Sequence, residues 1–82
     1  MKPSDIIIKI MEENNVTLAD LGQAAGYGED NPAQRMWDQL KRPGRNIKMP
    51  AFIRILDVLG YKLIVVRKAR AVKEDECLVD YE

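Results

Sequence analysis

The stretch from Val16 to Arg42 constrains the fold of this 82-residue chain most, because its residues predict two short helices that meet at a tight corner. Thr17 is a good N-cap, and Asp20, three residues later, can complete a capping box with it. Gly26 stands where the end of a helix requires a left-handed residue, which glycine adopts without a side-chain clash. A helix therefore begins near Thr17 and ends near Gly26.

The second helix of the corner is predicted from Pro32 to Lys41 or Arg42. Asn31 is a cap candidate, and proline suits the first helical position, where its missing N–H has no cost. A helical wheel divides this helix into two sides. The apolar side consists of Ala33, Met36, Trp37 and Leu40. The polar side consists of Gln34, Arg35, Asp38 and Arg42, flanked by Gln39 and Lys41.

Two further helices flank the corner. The first is predicted from Asp5 to Glu13, with Ser4 as its cap. Its buried stripe at helical spacing is Ile6, Ile7, Ile10 and Met11. The last helix is predicted to begin at Pro50 and to close at Gly60. Its apolar residues are Phe52, Ile53, Ile55, Leu56 and Leu59.

A β-strand is predicted from about Lys62 to Arg67, because this run is rich in β-branched residues. The residues at its centre are apolar on both faces of the strand, which indicates that both faces need to be covered. Those residues are Leu63, Ile64, Val65 and Val66. Helices can cover one face, and a second copy of the chain, paired strand to strand, can cover the other and remove an exposed edge. The predicted fold is mainly α, with four helices and a C-terminal strand that can form an intermolecular sheet.

The domain is predicted to span residues 1–69, followed by a charged tail over residues 70–82. A second short strand at CLVDY and a frayed tail are both open alternatives.

The chain has no histidine and a single cysteine, Cys77. No internal disulfide can form, so a reducing cytoplasm fits, and Cys77 is assigned no redox or metal role. The absence of histidine removes the commonest general base and zinc ligand. With no phosphate-cradling glycine loop, the sequence predicts no enzyme, no cofactor and no metal site. No signal peptide or membrane span is predicted.

The net charge is zero, but the charge is unevenly distributed. Residues 1–30 carry a net charge of −4, residues 31–54 carry +5 and residues 55–82 carry −1. The positive charge therefore lies on and just after the polar helix. A solvated helix followed by a basic loop is the simplest alternative to a binding surface there.

A corner of two helices with a glycine in the turn is the helix-turn-helix pattern, in which the second helix enters the major groove of DNA. Glutamine can pair with adenine, arginine with guanine, and aspartate can accept from cytosine or hold an arginine in place. The residues predicted to contact bases are Asn31, Gln34, Arg35, Asp38 and Gln39. The residues predicted to contact phosphates are Thr17, Lys41, Arg42, Arg45 and Lys48.

The stretch from Val16 to Gly60 resembles a helix-turn-helix domain of the Cro/CI repressor type, also called XRE-like or lambda-repressor-like. TLADLGQAAGY is similar to the first corner helix and turn glycine of that family. NIKMPAFIRILDVLGYKLIVV resembles the loop, following helix and LGY ending of short members that finish in a strand. The resemblance implies a sequence-specific transcriptional regulator, expected to be a repressor, that binds a near-palindromic site. It also implies a homodimer joined through the strand at Leu63–Val66.

The chain departs from this family pattern in three ways. The linker between Gly26 and the second corner helix is several residues longer, which can shift or tilt that helix. Gly22 stands where the family usually has alanine; it either permits close approach of another helix or is a tolerated weak spot. The family's fifth helix is replaced by the predicted strand.

Two other functions are compatible with the sequence. The chain could be the antitoxin of a toxin–antitoxin module, with the tail over residues 70–82 folding around a toxin. It could also be a protein-interaction module that has lost DNA binding, which the zero net charge and the long linker favour. Trp37 has two interpretations as well: it seals the edge of the core or packs against the sugar-phosphate backbone.

Overall fold

The computed structural model describes residues 1–44 and 47–79, and over these residues the chain is mainly helical. The helices are α1 (Pro3–Glu13), α2 (Leu18–Gly22), α3 (Pro32–Leu40) and α4 (Met49–Val58). A further turn over Gln23–Tyr27 continues α2 into the linker and is interrupted by a left-handed φ of +102° at Gly26. The helical class and the order of four helices are therefore confirmed. No helix in the described ranges is both long enough and apolar enough to cross a membrane.

The first helix begins at Pro3, two residues earlier than predicted. Its N-cap is Lys2, which makes no side-chain cap, so the prediction that Ser4 caps this helix is wrong. The reason is that proline is favoured in the first helical turn and extends the helix past Ser4, whose side chain is buried. The four apolar residues predicted for the stripe, Ile6 to Met11 at helical spacing, are all buried.

One hydrophobic core joins the four helices. Its largest fully buried side chains come one from each helix, so no pair of helices has a separate core. They are Ile7, Leu21, Met36 and Phe52. Ile47, in the loop before α4, is also buried there. The corner formed by α2 and α3 therefore packs against α1 and α4 through this core.

The last helix lies close to its predicted bounds, and its apolar residues differ in burial. It begins at Met49, one residue before Pro50, and Gly60 follows its end with a left-handed φ of +86°. Of its predicted apolar residues, Ile55 is buried, whereas Ile53 is 46% exposed. Two positions along a helix correspond to a rotation of about 200°, which places these residues on opposite sides.

The segment after α4 has neither helix nor strand from residue 61 to residue 79. The predicted strand Lys62–Arg67 is therefore not present within this single chain. A strand requires a hydrogen-bonded neighbour, and the described part of the chain supplies none here. Val65 is 99% exposed, and Leu63, Ile64 and Val66 are exposed as well.

The tail folds back towards the first helix. The terminal amine of Met1 donates to the Leu78 carbonyl at 2.9 Å, and Val79 packs against the core. Arg70 donates to both carboxylate oxygens of Glu76, at 2.5 and 2.7 Å. This hydrogen bond, and a second from the Lys73 backbone, lower the pKa of Glu76. Of the predicted CLVDY strand, residues 77–79 are not in a strand, and residues 80 and 81 lie outside the described residues.

Candidate nucleic-acid interface

The corner between α2 and α3 begins at the predicted capping box. The Asp20 backbone N–H donates to Thr17 Oγ1 at 3.1 Å, and the Thr17 N–H donates to Asp20 Oδ2 at 3.3 Å. Gly26 closes the helical segment with a φ of +102°. Both predictions are confirmed. The two signals are local, since each depends on residues within one helical turn.

Close packing at Gly22 sets the approach of the two corner helices. A Cβ atom at this position would lie 2.4 Å from the carbonyl oxygen of Pro32 and 2.6 Å from its Cβ. Real Cβ atoms do not approach other atoms so closely, so the first turn of α3 rests directly on the backbone of α2. Of the two interpretations of Gly22, close approach of another helix is the correct one.

The linker between the corner helices is folded back on itself. The Asp30 N–H donates to the Tyr27 carbonyl at 3.1 Å, and Gly28 takes a positive φ of +58°. Asn31 is the N-cap of α3, with a left-handed φ of +49°, but its side chain makes no capping hydrogen bond. Its backbone carbonyl instead accepts from the Arg35 N–H at 3.0 Å. The extra residues are therefore taken up as a compact turn.

The third helix has only part of the two-sided pattern that its sequence predicts, because Ala33 and Trp37 of the predicted apolar side are exposed. Met36 and Leu40 are buried in the core, whereas Gln34 and Arg35 are exposed and Asp38 and Gln39 are half-buried. Trp37 is 38% exposed and lines a shallow groove with Leu18, Ala33 and Gln34. The α3 outer face, defined as Asn31, Gln34, Arg35, Asp38 and Gln39, is thus brought together on one side of the molecule.

Side chains of this outer face contact one another and the linker. Gln34 Nε2 donates to Asp38 Oδ1 at 3.2 Å. Arg35 forms an ion pair with Asp30, and its Nε also donates to the Asp30 carbonyl at 2.9 Å. The prediction that Asp38 could hold Arg35 is therefore wrong. Asp38 lies one helical turn from both Gln34 and Arg35, and it accepts from Gln34, whereas Arg35 is bound to Asp30.

Tyr27 is a second linker residue at this face. The Arg35 guanidinium lies 5.3 Å from the centroid of the Tyr27 ring, within the range of a cation–π contact. Gln39 Nε2 donates to the Tyr27 hydroxyl. The sequence reasoning missed both Asp30 and Tyr27. The sequence does place an acidic and an aromatic residue within eight positions of Arg35. Their contact with Arg35, however, depends on the left-handed turn at Asn31.

The basic residues predicted to contact phosphates follow α3 in the sequence. Lys41 and Arg42 are exposed directly after it, and Lys48 is exposed at the start of α4. Arg45 lies outside the described residues. Thr17 is exposed, and it lines the same groove as Lys41, between the end of α1 and the start of α2. The structure therefore brings Thr17 and Lys41 together, although the Thr17 hydroxyl already accepts a bond in the capping box.

The described residues include no group of three or more His, Cys, Asp or Glu side chains that could hold a metal ion. Comparison with protein-family models, with curated proteins and with solved structures finds no match to this chain.

Proposed function

We propose that this protein is a sequence-specific DNA-binding transcriptional regulator, acting as a repressor, that inserts α3 into the major groove. The observation that carries the proposal is the two-sided environment of α3: Met36 and Leu40 are buried in the core, while Gln34 and Arg35 of the outer face are exposed. Side chains of this kind, with paired donors and acceptors, are those that read base edges. Helix-turn-helix proteins use a corner of two helices, and the close packing of α3 on α2 at Gly22 supports the proposal.

The surrounding charge supports contact with the DNA backbone. Lys41 and Arg42 are exposed directly after α3, Lys48 is exposed before α4, and positive side chains at the edge of a reading helix commonly bind phosphates. Each such contact should make the slope of log affinity against log salt concentration more negative by about 0.9. The Thr17 side of the corner, which shares a groove with Lys41, is proposed to meet the same strand of DNA.

The proposed active form is a homodimer joined through Leu63–Val66. These four side chains are exposed and apolar, and pairing with the same segment of a second copy would satisfy their backbone hydrogen bonds. A dimer would place two copies of α3 about 34 Å apart, one helical turn of DNA, on a near-palindromic site.

A selection of binding sequences from a random DNA pool, followed by fluorescence anisotropy, tests the proposal. Gln34→Ala should reduce the preference at one base pair by roughly 5- to 150-fold. Lys41→Ala should weaken binding to all sequences and reduce the salt slope by about 1.

Lys9→Ala is the matched control, because Lys9 is exposed on α1, outside the corner. Its affinity and salt slope should equal those of the unaltered protein. If no selected sequence binds more tightly than random DNA at low salt, the proposal fails.

A protein-interaction module is the second candidate. It is favoured by the Arg35–Asp30 ion pair, which lowers the positive charge that this face offers to DNA, and by the Gln34–Asp38 bond, which uses one of the Gln34 amide donors. Arg35→Ala combined with Arg42→Ala separates the two functions. A DNA-binding protein should lose DNA affinity, whereas an interaction module should retain its partner.

A further inference from the structure

The Arg35 side chain is held on one edge by the linker. A guanidinium has five N–H donors in a planar fork. The Nε donor binds the Asp30 carbonyl at 2.9 Å, and Nη2 binds the Asp30 carboxylate. Both acceptors therefore lie on the side edge of the fork, formed by Nε and Nη2. No described residue accepts a hydrogen bond from Nη1.

Tyr27 limits the rotation of the same group. Its ring lies beside the Arg35 guanidinium, 5.3 Å from centroid to Cζ, and its hydroxyl accepts from Gln39 one turn further along α3. The guanidinium is thus in contact with the ring and bound along one edge. Its end edge remains available to a ligand, with parallel N–H groups on Nη1 and Nη2.

The Asp30 carboxylate also changes the electrostatics of this donor pair. An adjacent negative charge offsets the attraction of the guanidinium for a phosphate, because both charges act over nearly the same distance. The directional N–H donors of the end edge are retained. An uncharged group with two parallel acceptors then competes better with a phosphate for binding to the Arg35 guanidinium. In the major groove, guanine O6 and N7 form such a pair.

We infer that Asp30 is a positioning residue that makes Arg35 a selective reader of guanine rather than a general phosphate contact. This inference rests on the proposed DNA-binding function. Asp30 touches no base itself; it acts through Arg35. The ligand class is a guanine–cytosine base pair, read from the major groove at one position of the site.

The experiment compares Asp30→Ala, Arg35→Ala and Glu29→Ala with the unaltered protein. Glu29 is the matched control, because it lies in the same linker and its removal deletes the same charge. Its carboxylate makes no hydrogen bond or ion pair with a described residue. Circular dichroism spectra should be the same for all variants, because Asp30 and Glu29 are exposed.

Arg35→Ala should abolish the guanine preference at one base pair, which locates the contact. Asp30→Ala should reduce that preference by roughly tenfold, about the discrimination of one bidentate pair. It should also steepen the salt slope by about 0.9, as a released Arg35 finds a phosphate. Glu29→Ala should change neither quantity, and Asp30→Ala should have no further effect on the preference in the Arg35→Ala background.

A measurement without DNA separates this inference from the function on which it rests. The Arg35 Nε–H should exchange with water more slowly than that of Arg54, an exposed arginine of α4, in nitrogen-15 NMR spectra. Asp30→Ala should remove this protection. If Arg35 is no more protected than Arg54, the positioning role is overturned regardless of DNA.

The remaining outcomes are also distinct. Asp30→Ala with an undiminished guanine preference overturns the positioning role and leaves the DNA-binding function intact. Asp30→Ala could also bind the selected DNA more tightly while its guanine preference stays the same. That result would mean that Asp30 masks Arg35, and it would overturn the inference. A protected Arg35 in a protein without any sequence preference overturns the proposed function and the reading role together.

Discussion

Gly22 and Pro32 are in contact through their backbones: a Cβ atom added to Gly22 would lie 2.4 Å from the Pro32 carbonyl oxygen. This contact sets how closely α3 approaches α2, and therefore how far the α3 outer face projects from the domain. The alanine that the resembling family usually has at this position would not fit here without movement of α3. The glycine at position 22 thus permits the close packing of α3, which begins directly after the longer linker.

Gly22→Ala should destabilise the protein. Alanine gains about 1 kcal/mol in helix propensity over glycine. Overlap with the Pro32 backbone should cost more than that gain, since overpacking typically costs about 1–3 kcal/mol and backbone atoms cannot rotate away. The free energy of unfolding, measured in urea, should therefore fall by about 1 kcal/mol. Gln23→Ala, at the exposed neighbouring residue, should change it by less than about 0.5 kcal/mol. Unchanged stability of Gly22→Ala would show that α3 shifts freely.

Thr17→Ala should weaken the start of α2. The Thr17 hydroxyl accepts from the Asp20 N–H at 3.1 Å, and loss of such a cap costs about 1 kcal/mol. Ser4→Ala is the informative comparison, because Ser4 has the residue type of a cap but makes no capping bond. Ser4→Ala should lower the free energy of unfolding by less than Thr17→Ala does, because no capping bond is lost. Equal losses for the two variants would contradict the role of the capping box.

Two isoleucines of α4 should respond differently to truncation. Ile55 is 2% exposed, so Ile55→Ala should lower the free energy of unfolding by about 2–5 kcal/mol through lost burial and a cavity. Ile53 is 46% exposed, and Ile53→Ala should cost less than about 1 kcal/mol. Thermal and urea unfolding at several protein concentrations measure both effects. A large, concentration-dependent loss for Ile53→Ala would mean that this residue is buried between two copies.

Val65→Lys should abolish the proposed dimer without unfolding the helices. Val65 is 99% exposed in the single chain, so a lysine there disturbs no contact with the described residues. In a strand paired between copies, two added charges would face each other across the interface and repel. Sedimentation velocity should show a dimer for the unaltered protein and a monomer for Val65→Lys. Val72→Lys, in the exposed tail, should remain dimeric. A monomeric unaltered protein at high concentration would contradict the dimer.

Much of the helical framework could be predicted because its signals are local. The capping box at Thr17, the left-handed Gly26 and the proline at the start of α3 each act within about one helical turn. Helical periodicity also identified which residues of α1 are buried. The error at Ser4 arose because two start signals compete over adjacent residues, and the proline prevailed.

The candidate site was only partly predictable. The polar side of α3 follows from its periodicity, so Gln34 and Arg35 were correctly placed on an exposed face. Their partners could not be derived in the same way. Asp30 reaches Arg35 because Asn31 adopts a left-handed φ of +49°, and an asparagine adopts that conformation only occasionally.

The sequence by itself determined four helices, their order and the polar side of α3, because backbone capping and hydrophobic periodicity depend on neighbouring residues. Tertiary structure decided the contact between Gly22 and Pro32, the exposure of Ile53 and the attachment of Arg35 to the linker. These depend on which surfaces of different elements meet in space. The same reason applies to Leu63–Val66: a strand is completed by a neighbouring strand, and the described single chain has none to pair with it.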